Sequence, residues 1–459
     1  MPRAVMSTRR LLALGGMVCV VAGCASARDI MVYEIAYDMP VSPRAVNITS
    51  TPLAICGDRL ITAMVEEPAQ PNATRLLTVV QMGELDSEGQ WQWQRKVLEP
   101  RTLPDPYHTQ PSVGVDGRGH VHVAYNMHNM PWQYVVSQRP CNIDAFDFEG
   151  DAVSDEELHA VFEENRTPFP GPGTAAIPGN QVTYPVFVND RAGNLYVSYR
   201  FAVRPARTWL ERAFGAGIAR FNDETAQWEP IGGAVPRSSL DVVMPSDSQQ
   251  DAVLEPAEAV PFAWHPGWTA YYPKLWFDQN NGMHVAWTWR EGEAGIDATH
   301  PSYAFRADAA SAFKRADGTD YPMPVTIDTT GSVGAFDGQT VYAGLNVSTD
   351  ADGSPLMIVQ PVNSARLIAR FDRTSQQWQT EPSPFGATSI LCENNGDCWA
   401  YASGPRILLK LHGETTWRMK FEQQGYCDPK PLHDTRSQRR FLYVTRCDQR
   451  SARILEITG

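Results

Sequence analysis

The chain has 459 residues and a formal charge of −13, from 39 Lys and Arg against 52 Asp and Glu. Apolar residues make up 43% and charged residues 20%, which excludes an intrinsically disordered protein. The acidic balance argues against a nucleic-acid partner, and the length predicts several domains or one large repeat architecture.

The first 23 residues are predicted to be a lipoprotein signal peptide. A basic segment precedes a short apolar stretch, Leu11–Val21. The tetrapeptide VAGC begins at the end of this stretch and has Cys24 as its last residue. This tetrapeptide resembles a bacterial lipobox, and Ala25 in place of Asp implies sorting to the outer membrane. We therefore expect lipidation of Cys24, an anchored linker over residues 24–45, and a lipid-anchored protein on the periplasmic or cell-surface side. A plain secretory signal is the alternative.

Six further cysteines are expected to form disulfides, because an even number in an exported protein is typical of an oxidising compartment. Cys392 and Cys398 flank a short polar turn and form the first candidate pair. Cys427 and Cys447 form the next. No CxxC spacing is present, so a zinc site is the weaker interpretation.

Most of the chain has the pattern of an all-β protein. One amphipathic stretch, Ser154–Asn165, begins with a capping box and predicts a short helical insertion. Elsewhere short alternating strands are separated by turn residues, with 35 Pro and 34 Gly in the whole chain.

A turn with Gly and Asp or Asn, followed by a strand of β-branched and aromatic residues, recurs seven times. The copies are Gly57–Ala63, Asp116–Tyr125, Asp190–Tyr199, Asp278–Trp287, Asp350–Val359, Asn394–Tyr401 and Gln438–Thr445. A four-stranded propeller blade needs about 40–50 residues. The repeats therefore predict a seven-bladed β-propeller catalytic domain over residues 46–459, with insertions in the longer gaps.

A second repeat supports this fold. An apolar residue, a polar turn and a tryptophan recur in hairpins that end at Trp91, Trp228, Trp378 and Trp417. They resemble degenerate Asp-box hairpins, in which the tryptophan packs between blades. Hairpins of a β-sandwich are the alternative, but a propeller hides the sheet edges that a long β chain otherwise exposes.

The densest group of candidate catalytic residues lies around the second repeat. His108 precedes one strand and His128 follows the next, so a hairpin brings both to one end of a blade. Two imidazoles there can act as an acid/base pair or neutralise charge. His120 and His122 lie between them and are expected to pack and hydrogen-bond. A metal site would need a carboxylate partner that the pattern does not reveal.

The next two blades repeat this placement with other side chains. Tyr184 precedes a strand and Arg200 ends one. In the following blade, Tyr272 lies in a Tyr-Tyr-Pro segment before the strand and Arg290 follows it. Polar groups at the same rim of three successive blades indicate one shared site.

Three segments, residues 106–137, 183–200 and 272–290, resemble the BNR-repeat proteins that include the seven-bladed ulvan lyases. The most specific part is Asp-Gly-x-Gly-His-x-His-Val-x-Tyr-x-Met-His-Asn, at Asp116–Asn129. The separations within the His108/His128 and Tyr184/Arg200 pairs also fit the lyase pattern.

The resemblance implies a polysaccharide lyase that cleaves a sulfated, uronate-containing polymer such as ulvan by β-elimination and leaves an unsaturated uronyl end. Arg200, helped by His128, would neutralise the uronate carboxylate. His108 and Tyr184 would share the base and acid roles, with the assignment between them open. A nearby arginine would have to lower the pKa of Tyr184 if it were the base. The elimination itself requires no cofactor, and a structural metal ion, reported in some members, stays possible.

Four residues are expected to bind the substrate: Tyr272, Asn129, Arg290 and Arg204. The expected partners are an anionic polysaccharide, held by local cations, and a membrane, through the lipid anchor; a monomer is expected. A non-catalytic glycan-binding propeller lipoprotein is one alternative, since 13 Trp and 16 Tyr suit sugar stacking in either case. A sialidase-like hydrolase is another and would require three clustered arginines.

Overall fold

The computed structural model describes residues 30–45, 50–70, 73–99, 101–105, 108–151, 153–154, 176–203, 214–235, 260–291, 297–350, 352–393, 395–434 and 436–459. These residues contain 29 β-strands and two short 3-10 turns, Gly334–Phe336 and Pro384–Gly386, but no α-helix. The predicted helix Ser154–Asn165 lies, beyond its first residue, outside the described residues. Within them, no helix is long and apolar enough to cross a membrane.

The strands of the first half of the chain are β1 (Met31–Pro40), β2 (Leu53–Cys56), β3 (Arg59–Glu66), β4 (Leu77–Leu85), β5 (Trp91–Val97), β6 (Ser112–Val115), β7 (Val121–Ala124), β8 (His128–Met130), β9 (Tyr134–Ser137), β10 (Phe146–Phe148), β11 (Asn180–Asn189), β12 (Leu195–Ala202), β13 (Phe214–Asn222) and β14 (Gln227–Pro230). Those of the second half are β15 (Trp268–Phe277), β16 (Met283–Glu291), β17 (Asp297–Arg306), β18 (Val341–Tyr342), β19 (Asn346–Thr349), β20 (Pro355–Val359), β21 (Leu367–Asp372), β22 (Gln377–Pro382), β23 (Ser389–Cys392), β24 (Cys398–Ala402), β25 (Arg406–Lys410), β26 (Arg418–Glu422), β27 (Tyr426–His433), β28 (Arg440–Arg446) and β29 (Ser451–Thr458).

Seven antiparallel sheets form the blades of a propeller, which confirms the predicted fold. Blades 1 to 6 begin at β2, β6, β11, β15, β19 and β23, and blade 7 begins at β27. Each of the seven sequence repeats supplies the turn between the first two strands of one blade. The first strands surround a central channel, because residues from all of them line one cavity.

The ring is closed by the two ends of the described chain. Strand β1 pairs with β29 from Met31 opposite Thr458 to Pro40 opposite Ser451, so the order in blade 7 is β1-β29-β28-β27. The structure thus places residues 31–40, part of the predicted linker, in the propeller. The apolar side chains of Ile35 and Met39 are buried there, which explains why this segment is a strand and not a linker.

Tryptophans of the outer hairpins pack against the preceding blade, as the second repeat predicts. Trp228 of blade 3 contacts Tyr134 of blade 2, and its indole N–H donates to the tyrosine oxygen over 3.3 Å. Trp378 of blade 5 lies edge-on to Tyr303 of blade 4, with ring centres 5.6 Å apart. Aromatic contacts of this kind stabilise the blade order beyond simple apolar burial.

Two buried Asp–His–Tyr chains fasten blades 2 and 4 internally. His122 contacts the Tyr134 hydroxyl through Nδ1 and the Asp116 carboxylate through Nε2. The other chain is Asp278, His284 and Tyr303, with His284 Nδ1 2.6 Å from the tyrosine oxygen. His122 therefore packs and hydrogen-bonds, as expected from the sequence.

Three disulfides are present in the described residues: two lie within a blade and one links two blades. Cys392 is joined to Cys398 across the first hairpin of blade 6, and Cys427 to Cys447 within blade 7. The remaining pair, Cys56 and Cys141, links blade 1 to blade 2.

Candidate active site

The candidate site lies at one mouth of the central channel. The channel has a volume of about 1300 Å³ and is lined by the first strands of the blades. We call the end at which these strands begin the upper mouth. The residues from the sequence prediction that line the channel there are His108, His128, Tyr184, Arg200, Tyr272 and Arg290.

Two stacked imidazoles form one wall of the upper mouth. The rings of His108 and His128 are nearly parallel, with centres 3.5 Å apart. Asp105 bridges them: one carboxylate oxygen lies 2.7 Å from Nδ1 of His108 and the other 2.7 Å from Nδ1 of His128. An ionised carboxylate only accepts hydrogen bonds. Both Nδ1 atoms must therefore donate, which leaves Nε2 as the proton-accepting atom of each neutral ring.

Local structure fixes the three members of this group, here named the Asp105 bridge. The Thr109 hydroxyl donates to the backbone carbonyls of Leu103 and Asp105, which holds the loop before β6. His128 begins β8, a short strand that is added to the inner edge of blade 3 and lies opposite Thr183 of β11. Backbone pairing therefore positions one imidazole, and a loop positions the other.

The pKa values of His128 and Asp105 in the Asp105 bridge are both lowered, for different reasons. Burial lowers the pKa of His128 to about 4, with repulsion from His108 and Arg200 adding to the effect and Asp105 offsetting only part of it. Burial alone would raise the pKa of Asp105, but hydrogen bonds from the two imidazoles hold it well below its usual range. At neutral pH His128 is uncharged. It therefore differs from the cationic helper that the sequence interpretation expected.

Arg200 is a buried guanidinium beside the imidazoles. One of its terminal nitrogens donates to Asn129 Oδ1 over 2.7 Å and to Thr183 Oγ1 over 3.1 Å. The Cζ atom of its guanidinium lies 5.0 Å from the ring centre of Tyr184 and 5.0 Å from that of Tyr271. Its Nε is buried without an acceptor, and no carboxylate in the described part of the chain pairs with it. A buried cation with this environment is suited to an anionic ligand.

A repeated backbone bulge aims tyrosines into the channel. Tyr184 in β11 and Tyr272 in β15 have positive φ angles of 60° and 51°, and a proline follows each. The register of pairing with the next strand shifts at both positions. Left-handed backbone is unfavourable for a bulky residue and is often kept where function requires it. The third copy of this bulge, in β27, carries Asp428, with φ 49°.

Three tyrosines lie together at the upper mouth. The hydroxyls of Tyr184 and Tyr271 are 3.3 Å apart, and the ring of Tyr272 lies 4.3 Å from that of Tyr184. Burial raises the pKa of Tyr184 well above its ordinary value, despite the opposing effect of Arg200. Tyr271 differs: burial would raise its pKa, but Arg200, the Tyr184 hydroxyl and Arg290 together lower it.

The channel is cationic although the protein is acidic. The described lining residues include seven Arg and Lys side chains but only three Asp side chains. Arg290 is one of the seven: its guanidinium lies 5.7 Å from the Tyr271 ring, and its Nε is buried without an acceptor in the described structure. The low-dielectric walls of a channel strengthen the attraction of these cations for an anion.

The amino-acid sequence matches the model of one known protein family. Residues 72–385, more than half of the chain, match the family described as BNR repeat-containing family member. The chain belongs to the BNR repeat-containing family. No curated protein sequence matches this family member significantly.

One solved structure similar to this BNR-repeat protein supports the propeller fold, and a second has a lower similarity. A polysaccharide lyase, Uly1, is 10% identical, with a TM-score of 0.63 over 93% of this chain and 97% of that one. An α-L-arabinanase of Penicillium chrysogenum is 9% identical, with a TM-score of 0.40 over 93% of this chain and 98% of that one. At 10% identity, the similarity to Uly1 concerns the fold alone.

In this BNR-repeat protein, the Asp105 bridge also brings together three side chains of the types that bind metal ions. Asp105, His108 and His128 place three ligand atoms within 4.8 Å of one another. The set fits poorly, however, because the imidazole Nδ1 atoms and both carboxylate oxygens already hydrogen-bond to each other at 2.7 Å. A divalent ion bound by all three residues through these four atoms would have to displace both Nδ1 protons.

The remaining sequence-predicted residues lie elsewhere. Asn129 does not line the channel; it is buried behind Arg200 and positions the guanidinium. Arg204 and Cys24 fall outside the described residues. Sequence reasoning missed Asp105 and Tyr271. Asp105 lies three residues before His108, a spacing that offered one weak signal.

Proposed function

We propose that this chain is a polysaccharide lyase that cleaves a sulfated, uronate-containing polymer such as ulvan by β-elimination. The observation that supports this proposal is the convergence of the Asp105 bridge, Tyr184 and the buried guanidinium of Arg200 at one mouth of a cationic channel. β-Elimination on a sugar that carries a carboxylate requires a cation, a base and an acid at the same place.

The first requirement is neutralisation of the uronate carboxylate, because the C5 proton is poorly acidic while that group is charged. Arg200 supplies a cation that is fixed by Asn129 and Thr183 before substrate arrives. Preorganised donors of this kind stabilise developing negative charge without reorganisation during the reaction. Arg290 adds a second cation, with its guanidinium 5.7 Å from the ring centre of Tyr271.

The chemical step then needs a base and an acid. Nε2 of His108 accepts the C5 proton, since the bond from Nδ1 to Asp105 fixes the tautomer. The C5–H electrons form the C4=C5 double bond, the C4–O bond breaks, and the leaving oxygen takes the proton of Tyr184. Tyr184 suits the acid role because its raised pKa keeps it protonated.

The arrangement also favours one stereochemical course. The rings of His108 and Tyr184 have centres 5.3 Å apart, so both face the same side of a sugar bound at the upper mouth. Proton removal and leaving-group protonation on one face correspond to a syn elimination. Tyr271, whose ring contacts the guanidiniums of Arg200 and Arg290, is placed to exchange a proton with Tyr184 over 3.3 Å after each turnover.

The test is the ultraviolet absorbance of the conjugated product when purified protein is mixed with ulvan and related uronans. Wild-type protein should generate the unsaturated uronyl end. The variant Arg200→Lys keeps the charge but loses the planar donor geometry, and we expect kcat/KM to fall at least about a hundredfold.

The matched control is Arg139→Lys, an exposed arginine paired with Asp144, which should keep full activity. New reducing ends without ultraviolet absorbance would indicate a hydrolase instead. Binding of the polymer without any cleavage would indicate a glycan-binding propeller, and either result would refute the lyase proposal for these substrates.

A further inference from the structure

The loop between β22 and β23 lies on the same face of the propeller as the candidate active site. The first strand of each blade begins at the upper mouth, and neighbouring strands of blade 5 are antiparallel. Its second and fourth strands therefore end at the upper face. The loops that follow these two strands, residues 360–366 and 383–388, consequently lie on that face as well.

The second of these loops presents an exposed aromatic ring. Phe385, in the 3-10 turn Pro384–Gly386, is 59% exposed, more than any other large apolar side chain in the described part of the chain. Its φ angle is 50°, a left-handed conformation that is unfavourable for a bulky residue. Residues held in such conformations concentrate at functional sites, so the backbone supports a role for this ring.

Hydrogen bonds hold the loop in place. Ser383 Oγ donates to the carbonyl of Ala387 over 3.0 Å, and the backbone N–H of Gly386 donates to the carbonyl of Ser383 over 3.2 Å. Arg366 Nη1 donates to the carbonyl of Gly386 over 2.6 Å. Because the backbone that carries the ring is already ordered, little conformational freedom is lost when a ligand binds there.

Arg366 connects this loop to the channel. It lines the channel together with Thr388, the last residue of the loop. Its second terminal nitrogen donates to Gln360 Oε1 over 2.6 Å. An amide oxygen and a backbone carbonyl are neutral acceptors, so these bonds orient the guanidinium without neutralising its charge. A cation at the edge of the channel is therefore in contact with the loop that carries the exposed ring.

We propose that Phe385 and Arg366 form a distal subsite, which binds a polysaccharide chain where it leaves the upper mouth. The ring stacks on the apolar face of a sugar, and the guanidinium attracts the acidic groups of the chain. A membrane or an apolar protein partner requires a contiguous apolar patch, whereas Phe385 follows the exposed polar residues Thr380 and Glu381. The class of ligand rests on the proposed function; the subsite adds a contact outside the reacting sugar.

The experiment measures the dissociation constants of a sulfated uronate disaccharide and decasaccharide by isothermal titration calorimetry. The Tyr184→Phe protein is used as the background, because it lacks the proposed acid and leaves the oligosaccharides uncut. Adding Phe385→Ala should raise the Kd of the decasaccharide about three- to tenfold and leave that of the disaccharide unchanged, since only the longer chain reaches the loop. Phe385→Tyr keeps the ring and should keep the affinity. Arg366→Gln should weaken decasaccharide binding and reduce its dependence on salt concentration.

The matched control is Phe148→Ala, which removes an exposed phenylalanine from β10, the outer strand of blade 2, and should leave both constants unchanged. Unchanged decasaccharide binding in the Phe385→Ala protein, or an equal loss for both oligosaccharides, overturns the subsite. A wild-type protein without an ultraviolet signal refutes the lyase. If its length-dependent binding is nevertheless lost with Phe385→Ala, the subsite stands in a glycan-binding propeller, so the two failures are distinguishable.

Discussion

Asp105 connects the imidazoles of His108 and His128 through two hydrogen bonds. Its two oxygens accept from His108 and His128, and this fixes the tautomer of both rings. A carboxylate that accepts from one ring nitrogen determines which nitrogen of the imidazole can take a proton. The candidate base therefore depends on a side chain that does not itself line the channel.

The variant Asp105→Asn tests this dependence. An amide offers one acceptor and one donor group, so it can keep only one of the two Nδ1–H donors and must force the other ring into the opposite tautomer. We expect kcat/KM on uronan to fall about 10²- to 10⁴-fold. The measurement is the steady-state ultraviolet assay together with circular dichroism to verify folding.

Asp86→Asn, in an exposed turn, is the matched control and should retain activity. Wild-type rates in a folded Asp105→Asn protein would show that tautomer control by Asp105 is not required.

The sequence predicts most of the site residues but not which tyrosine faces which partner. His108, His128, Tyr184 and Arg200 were placed at one rim because strand ends alternate regularly along a β-meander. Tyr271 escaped this reasoning because Tyr272 has a left-handed backbone, which breaks the two-residue alternation of side chains. No pattern in a single sequence predicts that break.

At the level of strands and blades, the seven turn repeats were sufficient to predict the number of blades. The turns recur because every first hairpin needs the same tight, polar connection beside the same buried strand. The two irregular strands were not predictable in this way. Strand β8 is added to blade 3 from outside its meander, and β1 pairs with β29 at the other end of the chain.

Strand β1 carries a prediction about stability. A protein that begins after Pro40 should have a lower thermal midpoint, because β29 loses its partner and Ile35 and Met39 no longer fill the core beside Phe441. Burial of each large apolar side chain contributes about 1.5–3 kcal/mol, so the loss should amount to several kcal/mol. Calorimetry and hydrogen exchange in β29 are the measurements.

A protein that begins at Ile30 is the control and should match the full-length chain. If removal of β1 leaves both the midpoint and the exchange of β29 unchanged, the strand does not close the ring.

For the whole molecule, charge is distributed unevenly. The net charge is −13, yet the described channel lining has more than twice as many cations as anions. An acidic exterior around a cationic channel disfavours nonspecific adhesion of polyanions and leaves the channel as the attractive surface. The total charge of the sequence could not reveal this, because it contains no information on which residues meet in space.

Buried histidines predict that the protein is destabilised by acid. Burial lowers the pKa of His128 to about 4 and of His433 to about 3, and it also lowers those of His122 and His284. The unfolded chain therefore binds these protons first as the pH falls below about 6.5. The free energy of unfolding should decrease from there, by about 3 kcal/mol for His128 alone by pH 4.

Denaturant titrations at a series of pH values measure this decrease. The variant His433→Gln should flatten the slope between pH 6.5 and the acid limit, because it removes one of these buried imidazoles. A constant free energy of unfolding across that range would contradict the assignment of neutral buried imidazoles.

The pairing of β1 with β29 has a consequence for how the protein matures. More than four hundred residues separate the two strands, so the pairing that closes the ring can form only after β29 has been synthesised. Before β29 emerges, β1 has an unpaired edge, and such edges are sites of aggregation and proteolysis. A polypeptide truncated before β29 would therefore expose this edge of β1, whereas pairing with β29 covers it.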